Sequence, residues 1–291
     1  MKRNVSIDIL KAICILFVII THFDWSIDER RMLLFPFWID MAVPIFMYVS
    51  GYLNAQSFIY KGIHTLWEMY SFDNLYNKLI RFIVPFTLIY IIQIVIRIFS
   101  LNQSLSVSDL LKMYLHGAEG PGSYYVPCMI RFIFIFPIVY FSVVKYKKLG
   151  LLICFLFNLI YEIVQRACGM NANLYRLLVF RYIFVIACRC YFRLYGLKIR
   201  LLHSIFSLLI GIAYIYLVSY TNYIPKVIIH WTNTSLFTTF FILPFVNCYL
   251  CHSISNVPQI IVLIGKTTFD IFLAQATIYF ILPVIFMKLM H

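Results

Sequence analysis

The sequence predicts an all-α polytopic integral membrane protein, a helix bundle with nine or ten transmembrane helices. Of its 291 residues, 63% are hydrophobic and only 12% are charged, whereas a soluble domain is about half apolar and about a quarter charged. Apolar runs of roughly 20 residues, the length that crosses a bilayer as a helix, recur from one end of the chain to the other. No polar block of domain size interrupts them, so residues 1–291 are predicted to form one transmembrane domain.

The predicted spans follow one another along the chain with short connections. The first begins after a basic Met-Lys-Arg and, since no small-x-small cleavage site follows it, is predicted to stay in the protein as a signal anchor. Two further apolar segments, 223–231 and 257–264, either lie in the interface or complete a tenth span. The nine spans lie at about 8–24, 37–58, 79–99, 125–144, 149–165, 177–195, 201–220, 236–253 and 268–289.

The distribution of Lys and Arg predicts the orientation. With these spans, about twice as many basic residues lie on the side of the N-terminus as on the other side, which predicts a cytoplasmic N-terminus. The net charge of +13 is explained by this bias together with contact with anionic membrane lipids. No motif indicates nucleic-acid binding, and no set of Cys and His residues has complete metal-ligand spacing. We therefore expect neither a metal nor a nucleic-acid partner.

Lys11 and His22 are ionisable residues in one apolar segment. Such residues are costly in hydrocarbon and mark functional sites by default. Eleven residues at about 100° each amount to three turns plus roughly 20°, so both side chains are expected on one helix face, about 16 Å apart along the axis. Asp8, one turn before Lys11, is positioned to orient its ammonium group. Asp24 would orient the imidazole only if the helix ended at His22.

Five motifs in order resemble the membrane acyltransferase-3 family. The first is Asp8-x-x-Lys11 followed after ten residues by His22. The others are Ser50-Gly51 in the second span, Lys78-x-x-Arg81 with Pro85 at the start of the third, Tyr124-Tyr125 before the fourth, and Ile264-Gly265-Lys266 with Gln275 near the end.

The resemblance covers nearly the whole chain, and the sequence departs from it at four positions. Lys11 and Lys78 stand where the family usually has Arg, Tyr124 stands where Trp is common, and Gln275 replaces a late His. Lys keeps the charge of Arg but loses the planar fork that suits phosphate. Gln275 cannot titrate, which removes any acid–base role at that position.

What the resemblance implies is acyl transfer, and a bacterial inner membrane. An acyl group, commonly acetyl, would pass from cytoplasmic acyl-CoA to a hydroxyl of a cell-surface or lipid-linked carbohydrate. Acyl-CoA is then a donor substrate, with no cofactor bound, and the expected partners are the carbohydrate acceptor, membrane lipids and the envelope polysaccharide machinery. His22 would be the catalytic residue, either as general base or as the acyl carrier, and Lys11, Lys78 and Arg81 would bind the phosphates of the donor.

Further residues are candidates for orienting groups or for the acceptor side. These are Asp8, Ser50, Tyr124, Tyr125 and Arg131. Arg189 and Arg193, at i and i+4, share a helix face and are candidates to extend the cytoplasmic basic mouth. Glu119 lies in a Gly-rich loop of the kind that binds substrates.

Each candidate also has a structural explanation. Lys11 could extend to the headgroups, Lys78 and Arg81 could be ordinary cytoplasmic anchors, and Ser50-Gly51 could serve close helix packing. The alternative function is a polysaccharide or lipid transporter without covalent chemistry. Transporters favour Gly- or Pro-broken helices in matched halves, and this sequence has ten Gly and no evident repeat. A scaffold, the third alternative, would not explain Lys11 and His22.

Overall fold

The computed structural model describes residues 4–101, 103–196, 201–221, 229–251 and 257–289. Within these ranges the regular structure is helical and no strand is present, so the predicted all-α fold class is confirmed. Most of segment 223–231 lies outside the described residues, as do five of the basic residues used for the orientation, namely Lys2, Arg3, Lys198, Arg200 and Lys226.

The described residues form fourteen α-helices and two short 3-10 turns at Phe35–Phe37 and Val179–Tyr182. The helices are α1 Val5–Thr21, α2 Ile27–Met32, α3 Ala42–Tyr60, α4 Leu66–Met69, α5 Phe72–Ser100, α6 Val107–His116, α7 Tyr125–Tyr146, α8 Lys148–Ala167, α9 Ala172–Leu177, α10 Ile183–Tyr195, α11 Leu201–Tyr220, α12 Thr238–Cys251, α13 Gln259–Lys266 and α14 Thr268–Leu289.

Four helical stretches of the described chain are long and apolar enough to cross a membrane, namely 66–100, α7, α8 and α11. A fifth is added if α13 and α14 count as one interrupted span. The protein is therefore an integral membrane protein built as a polytopic helix bundle. The number of nine or ten spans stays a prediction, because the remaining helices are shorter or more polar.

Two helices outside this set, α1 and α3, carry polar residues within their length. Helix α1 has 17 residues and contains Asp8 and Lys11. Helix α3 has 19 residues and contains Asn54 and Gln56. Helices that line a protein interior can carry such residues because protein groups, rather than lipid, surround them.

The described chain packs as two compact units. The first unit comprises Met1–Met69, Phe136–Met170 and Phe180–Lys266, and the second comprises Tyr70–Ile135, Asn171–Val179 and Thr267–His291. The boundary between Ile135 and Phe136 falls inside α7.

In the first unit, α3 packs closely against α10, and α1 packs against α3 and α13. Gly51 permits the first contact, because a Cβ atom there would lie 2.9 Å from the carbonyl oxygen of Ile186. This supports the packing explanation for the Ser50-Gly51 pair. Helices α8 and α10 also pack together, as do α11 and α12.

In the second unit, α5 packs against α14. The loop before α7 approaches α14 at Gly120, whose added Cβ atom would lie 2.5 Å from the carbonyl oxygen of Ala276. Gly120 also has φ +105°, a backbone conformation that residues with a Cβ rarely adopt. The glycines of this loop are therefore explained by its backbone.

Candidate functional site

The end of α1 places His22. The helix stops at Thr21 and His22 is its C-cap, with its backbone N–H directed at the carbonyl oxygens of Ile19 and Ile20. The indole N–H of Trp25 also donates to the carbonyl oxygen of Ile20, at 2.8 Å. These bonds occupy carbonyl groups that a helix end leaves open. The turn that carries His22 is therefore held by its own backbone and by the Trp25 side chain.

Lys11 and His22 share the buried face of α1. Ile15 and Val18 lie between them at helical spacing, so the four side chains form one stripe. Ile15 is 1% exposed and Val18 is 9% exposed, while Lys11 and His22 are half-buried. The stripe therefore faces protein, and the uninterrupted helix keeps the two ionisable groups about 16 Å apart.

An ion pair lies beside the end of α1. Arg30 on α2 donates to the Oδ1 atom of Asp40 at 2.8 Å, and the side-chain amide of Asn233 donates to the Oδ2 atom of Asp40 at 2.7 Å. The Arg30 guanidinium also lies over the ring of Phe35, 5.4 Å from its centroid. These contacts link α2 to the starts of α3 and α12.

The charge of Arg30 acts on His22. His22 lies beyond the last residue of α1, and burial together with the positive charge of Arg30 lowers the pKa of its imidazole to about 4. The imidazole is therefore neutral at physiological pH, which is the form that accepts a proton. Asp24, a candidate to orient the imidazole only if the helix ended at His22, is exposed, and the charged group that lowers the pKa of His22 is Arg30.

Asp8 lies at the other end of α1 and is buried, with 4% exposure. Gly265 on α13 packs against it so closely that an added Cβ atom would lie 2.0 Å from the Asp8 carbonyl oxygen. The structure thus brings two of the motifs together, the Asp8-x-x-Lys11 motif and Ile264-Gly265-Lys266. The glycine is needed for this contact between α1 and α13.

Ser50 is half-buried on α3, and its backbone carbonyl accepts a hydrogen bond from the side-chain amide of Asn54 at 3.0 Å. Asp8, Lys11, His22 and Ser50 therefore all belong to the first unit. Lys78, Arg81, Tyr124, Tyr125 and Arg131 belong to the second unit.

In the second unit, Lys78 is half-buried and Arg81 is exposed on α5. Tyr124 and Tyr125 lie at the start of α7, where the Tyr125 ring is 5.1 Å from that of Phe272. Arg131, also on α7, donates to the carbonyl oxygen of Leu177 at 3.0 Å. That bond joins α7 to the end of α9, which is a structural role for Arg131.

The loop before α7 is tied to α5. The side-chain amide of Gln93 forms two hydrogen bonds with the backbone of Glu119, one donated at 3.1 Å and one accepted at 3.0 Å. The Glu119 carboxylate also pairs with Arg97. Glu119 is thus held by internal contacts. In the same unit, Gln275 on α14 is buried, and neither polar atom of its side-chain amide has a partner among the described residues.

Sequence reasoning missed a buried polar stripe on α8. Asn158 and Glu162 are fully buried, and Gln165 is 2% exposed. The Asn158 side-chain oxygen accepts a hydrogen bond from the backbone N–H of Phe184 at 3.3 Å. The signal was available, because Glu162 lies within the predicted fifth span, 149–165, and an acidic residue in an apolar span is a functional candidate by default.

Comparison with known proteins agrees with the resemblance. The model of the acyltransferase-3 family, described as an acyltransferase domain, matches residues 4–290. No curated protein and no solved structure matches the chain.

Proposed function

Because the chain belongs to the acyltransferase-3 family, and is thus a membrane acyltransferase, we propose that it transfers an acyl group, commonly acetyl, from cytoplasmic acyl-CoA to a hydroxyl of a cell-surface or lipid-linked carbohydrate. The observation that supports this best is His22, a half-buried imidazole at the end of α1 that is neutral at physiological pH. A neutral imidazole can accept the proton of an attacking hydroxyl.

The proposed step balances without a cofactor. The acceptor hydroxyl gives its proton to an unprotonated ring nitrogen of His22 while its oxygen attacks the thioester carbonyl carbon. The tetrahedral intermediate then collapses, the bond between carbon and sulfur breaks, and the thiolate of CoA takes the proton from the imidazolium. The products are the acylated carbohydrate and free CoA, and the imidazole returns to its neutral form.

Lys11 is the proposed contact for the donor's phosphates in the first unit. Its position about 16 Å from His22 along α1 matches the extended pantetheine arm, whose roughly twelve bonds span on the order of 15 Å at standard bond lengths. A donor with its diphosphate at Lys11 would therefore bring its thioester to the level of His22. Lys78 and Arg81, on α5 of the second unit, are proposed as phosphate-binding residues in their own right.

The acceptor side and the oxyanion contacts are proposed from the remaining candidates. Ser50 is proposed to donate to the developing oxyanion, while Tyr124, Tyr125 and Arg131 are proposed for the acceptor. The site needs no metal. We propose the bacterial inner membrane as the location, with the N-terminus cytoplasmic, so that the donor enters at the Lys11 end and the acceptor arrives at the His22 end.

The test is transfer by the purified full-length protein in lipid. Acetyl-CoA labelled in the acetyl group is mixed with an extract of cell-envelope glycans, and both labelled glycan and released free thiol are measured. We expect the two to appear in equal amounts. If none of a panel of acyl-CoA donors lost its acyl group to any envelope fraction, the proposal would be wrong and a transporter would become the better explanation.

A further inference from the structure

Two arginines lie one turn apart in the interior of the first unit. Arg189 on α10 is 9% exposed, and Arg193 is half-buried on the same helix. All eleven Asp and Glu residues of the sequence belong to the described part of the chain, and none of them pairs with either arginine. An uncompensated charge in a protein interior is costly, so this pair needs an explanation.

The contacts of Arg189 leave most of its donors unused. Its Nη1 atom donates to the Oδ1 atom of Asn247 at 3.0 Å, while its Nε atom is buried and has no partner among the described residues. Tyr48 donates to the same Asn247 oxygen at 2.5 Å. These two bonds hold the Asn247 amide so that its Nδ2 group, a further donor, is also buried without a described partner.

Arg193 extends the same donor-rich cluster. Its Nε atom donates to the side-chain oxygen of Gln56, which leaves both terminal nitrogens of the guanidinium for another acceptor. The Tyr52 ring lies between the two arginines, with its centroid 4.6 Å from the Cζ atom of Arg189 and 5.8 Å from that of Arg193. These cation–π contacts orient the guanidinium groups but neutralise neither charge.

We propose that Arg189 and Arg193 bind a phosphate group of a ligand that enters the first unit. The polar atoms left unused on Arg189, Arg193 and Asn247 are all hydrogen-bond donors. The non-bridging oxygens of an ionised phosphate are all acceptors. A phosphate carries up to two negative charges, which matches two guanidinium groups, and guanidinium forks suit its geometry. A carboxylate, with one charge, would leave the second arginine uncompensated.

The phosphate has two sources with the same chemistry. It belongs either to the soluble acyl-CoA donor, in which case this inference rests on the proposed function, or to a phosphorylated membrane lipid that carries the acceptor. Either source makes the arginine pair a binding site, separate from the Lys11 and His22 stripe on α1.

The test measures binding of inorganic diphosphate to the purified full-length protein in a phosphate-free maltoside detergent. Arg189→Gln and Arg193→Gln are each expected to weaken binding at least tenfold, and Arg189→Lys is expected to fall between wild type and Arg189→Gln because it keeps charge without the fork. Arg166→Gln is the matched control, since Arg166 is exposed at the end of α8. It should bind diphosphate as wild type does.

Folding and ligand class are checked in the same experiment. The thermal unfolding midpoint of each variant shows whether it folds. Arg193→Gln alters the more exposed of the two arginines, so the test remains valid even if Arg189→Gln fails to fold. The proposal is overturned if folded Arg193→Gln binds diphosphate as tightly as wild type, if wild type binds none, or if wild type binds malonate as tightly as diphosphate.

Two further arms identify the source. One compares coenzyme A with phosphate-free pantetheine, and the other compares phosphatidylglycerol with diacylglycerol in mixed micelles. Arg193→Gln should weaken binding of the phosphate-bearing member of one pair only. If Arg193→Gln weakens binding in neither pair, the proposal is overturned. His22→Ala should bind diphosphate as wild type does even if the acyl-transfer proposal fails, so the two proposals fail separately.

Discussion

His22 is distinguished from an ordinary interfacial histidine by its neighbours. Sequence spacing predicted that it shares a face with Lys11, because helical periodicity fixes which residues of one helix align. The spacing could not predict the effect of Arg30 on His22, because Arg30 lies on a different helix, α2. The sequence offered Asp24, a near neighbour along the chain, as an orienting residue only if the helix ended at His22. Helix α1 does end at Thr21, but Asp24 is exposed.

The pH dependence of activity should report this environment. A general base works in its unprotonated form, and the pKa of His22 is lowered to about 4. Activity should therefore stay constant between about pH 7 and 5 and fall only near pH 4. Arg30→Gln removes a positive charge that disfavours the imidazolium, so the acid limb of kcat/KM should move to higher pH, toward the ordinary value of about 6.5.

The movement should be partial, since burial is the larger cause of the lowered pKa. Arg31→Gln is the control, because Arg31 is the adjacent residue of the same helix but donates to the carbonyl oxygen of Ser219 at 3.0 Å. Its pH profile should match wild type. An unchanged acid limb in Arg30→Gln would contradict the assigned role of Arg30.

At the scale of the helices, glycine positions in the motifs mark close helix contacts. Gly51 allows α3 to approach α10, and Gly265 allows α13 to approach α1. The sequence raised the packing explanation for Ser50-Gly51, because small residues permit close approach of helices in membranes. It could not identify the partner helices, since α10 and α13 are distant along the chain and contact depends on the whole fold.

Gly265→Ala should separate α1 from α13. The added methyl group would lie 2.0 Å from the backbone oxygen of Asp8, and backbone cannot move aside as a flexible side chain can. Overpacking of this kind costs about 1–3 kcal/mol, which exceeds the roughly 1 kcal/mol that Ala gains over Gly within a helix. We expect a lower thermal unfolding midpoint and reduced activity.

Gly62→Ala is the comparison for this variant. No atom lies within 4 Å of its added methyl group, although the backbone there has φ +65°. It should lose some stability from the left-handed backbone alone and keep its activity. If Gly265→Ala were as active as Gly62→Ala, the contact between α1 and α13 would not hold the site.

For the whole molecule, composition was enough to predict an all-α membrane bundle. Hydrophobic content and the spacing of apolar runs are properties of the entire chain, and they are insensitive to any single contact. The arrangement into two units was beyond the sequence because each unit is assembled from three separate segments. For the same reason, the sequence could not reveal that Arg189 contacts Asn247, which lies 58 positions away.

The predicted orientation can be tested with a natural cysteine. Cys168 is exposed after the end of α8, and five of the predicted spans precede it. With a cytoplasmic N-terminus, Cys168 should lie outside and react with a membrane-impermeant maleimide on intact cells. Cys168→Ala should abolish this labelling. Labelling of Cys168 that required permeabilised cells would place the N-terminus outside.

If His22 performs acyl transfer, its removal should abolish transfer while a matched histidine variant keeps it. Purified wild type, His22→Ala and His203→Ala are given labelled acetyl-CoA and envelope glycan at equal protein concentration, with folding checked by thermal unfolding. His203 is an exposed histidine of α11 and serves as the matched control. We expect labelled glycan from wild type and His203→Ala, and a loss of at least about a hundredfold for His22→Ala, the lower range for removing a general base. Equal transfer by folded His22→Ala would show that His22 is not the catalytic residue.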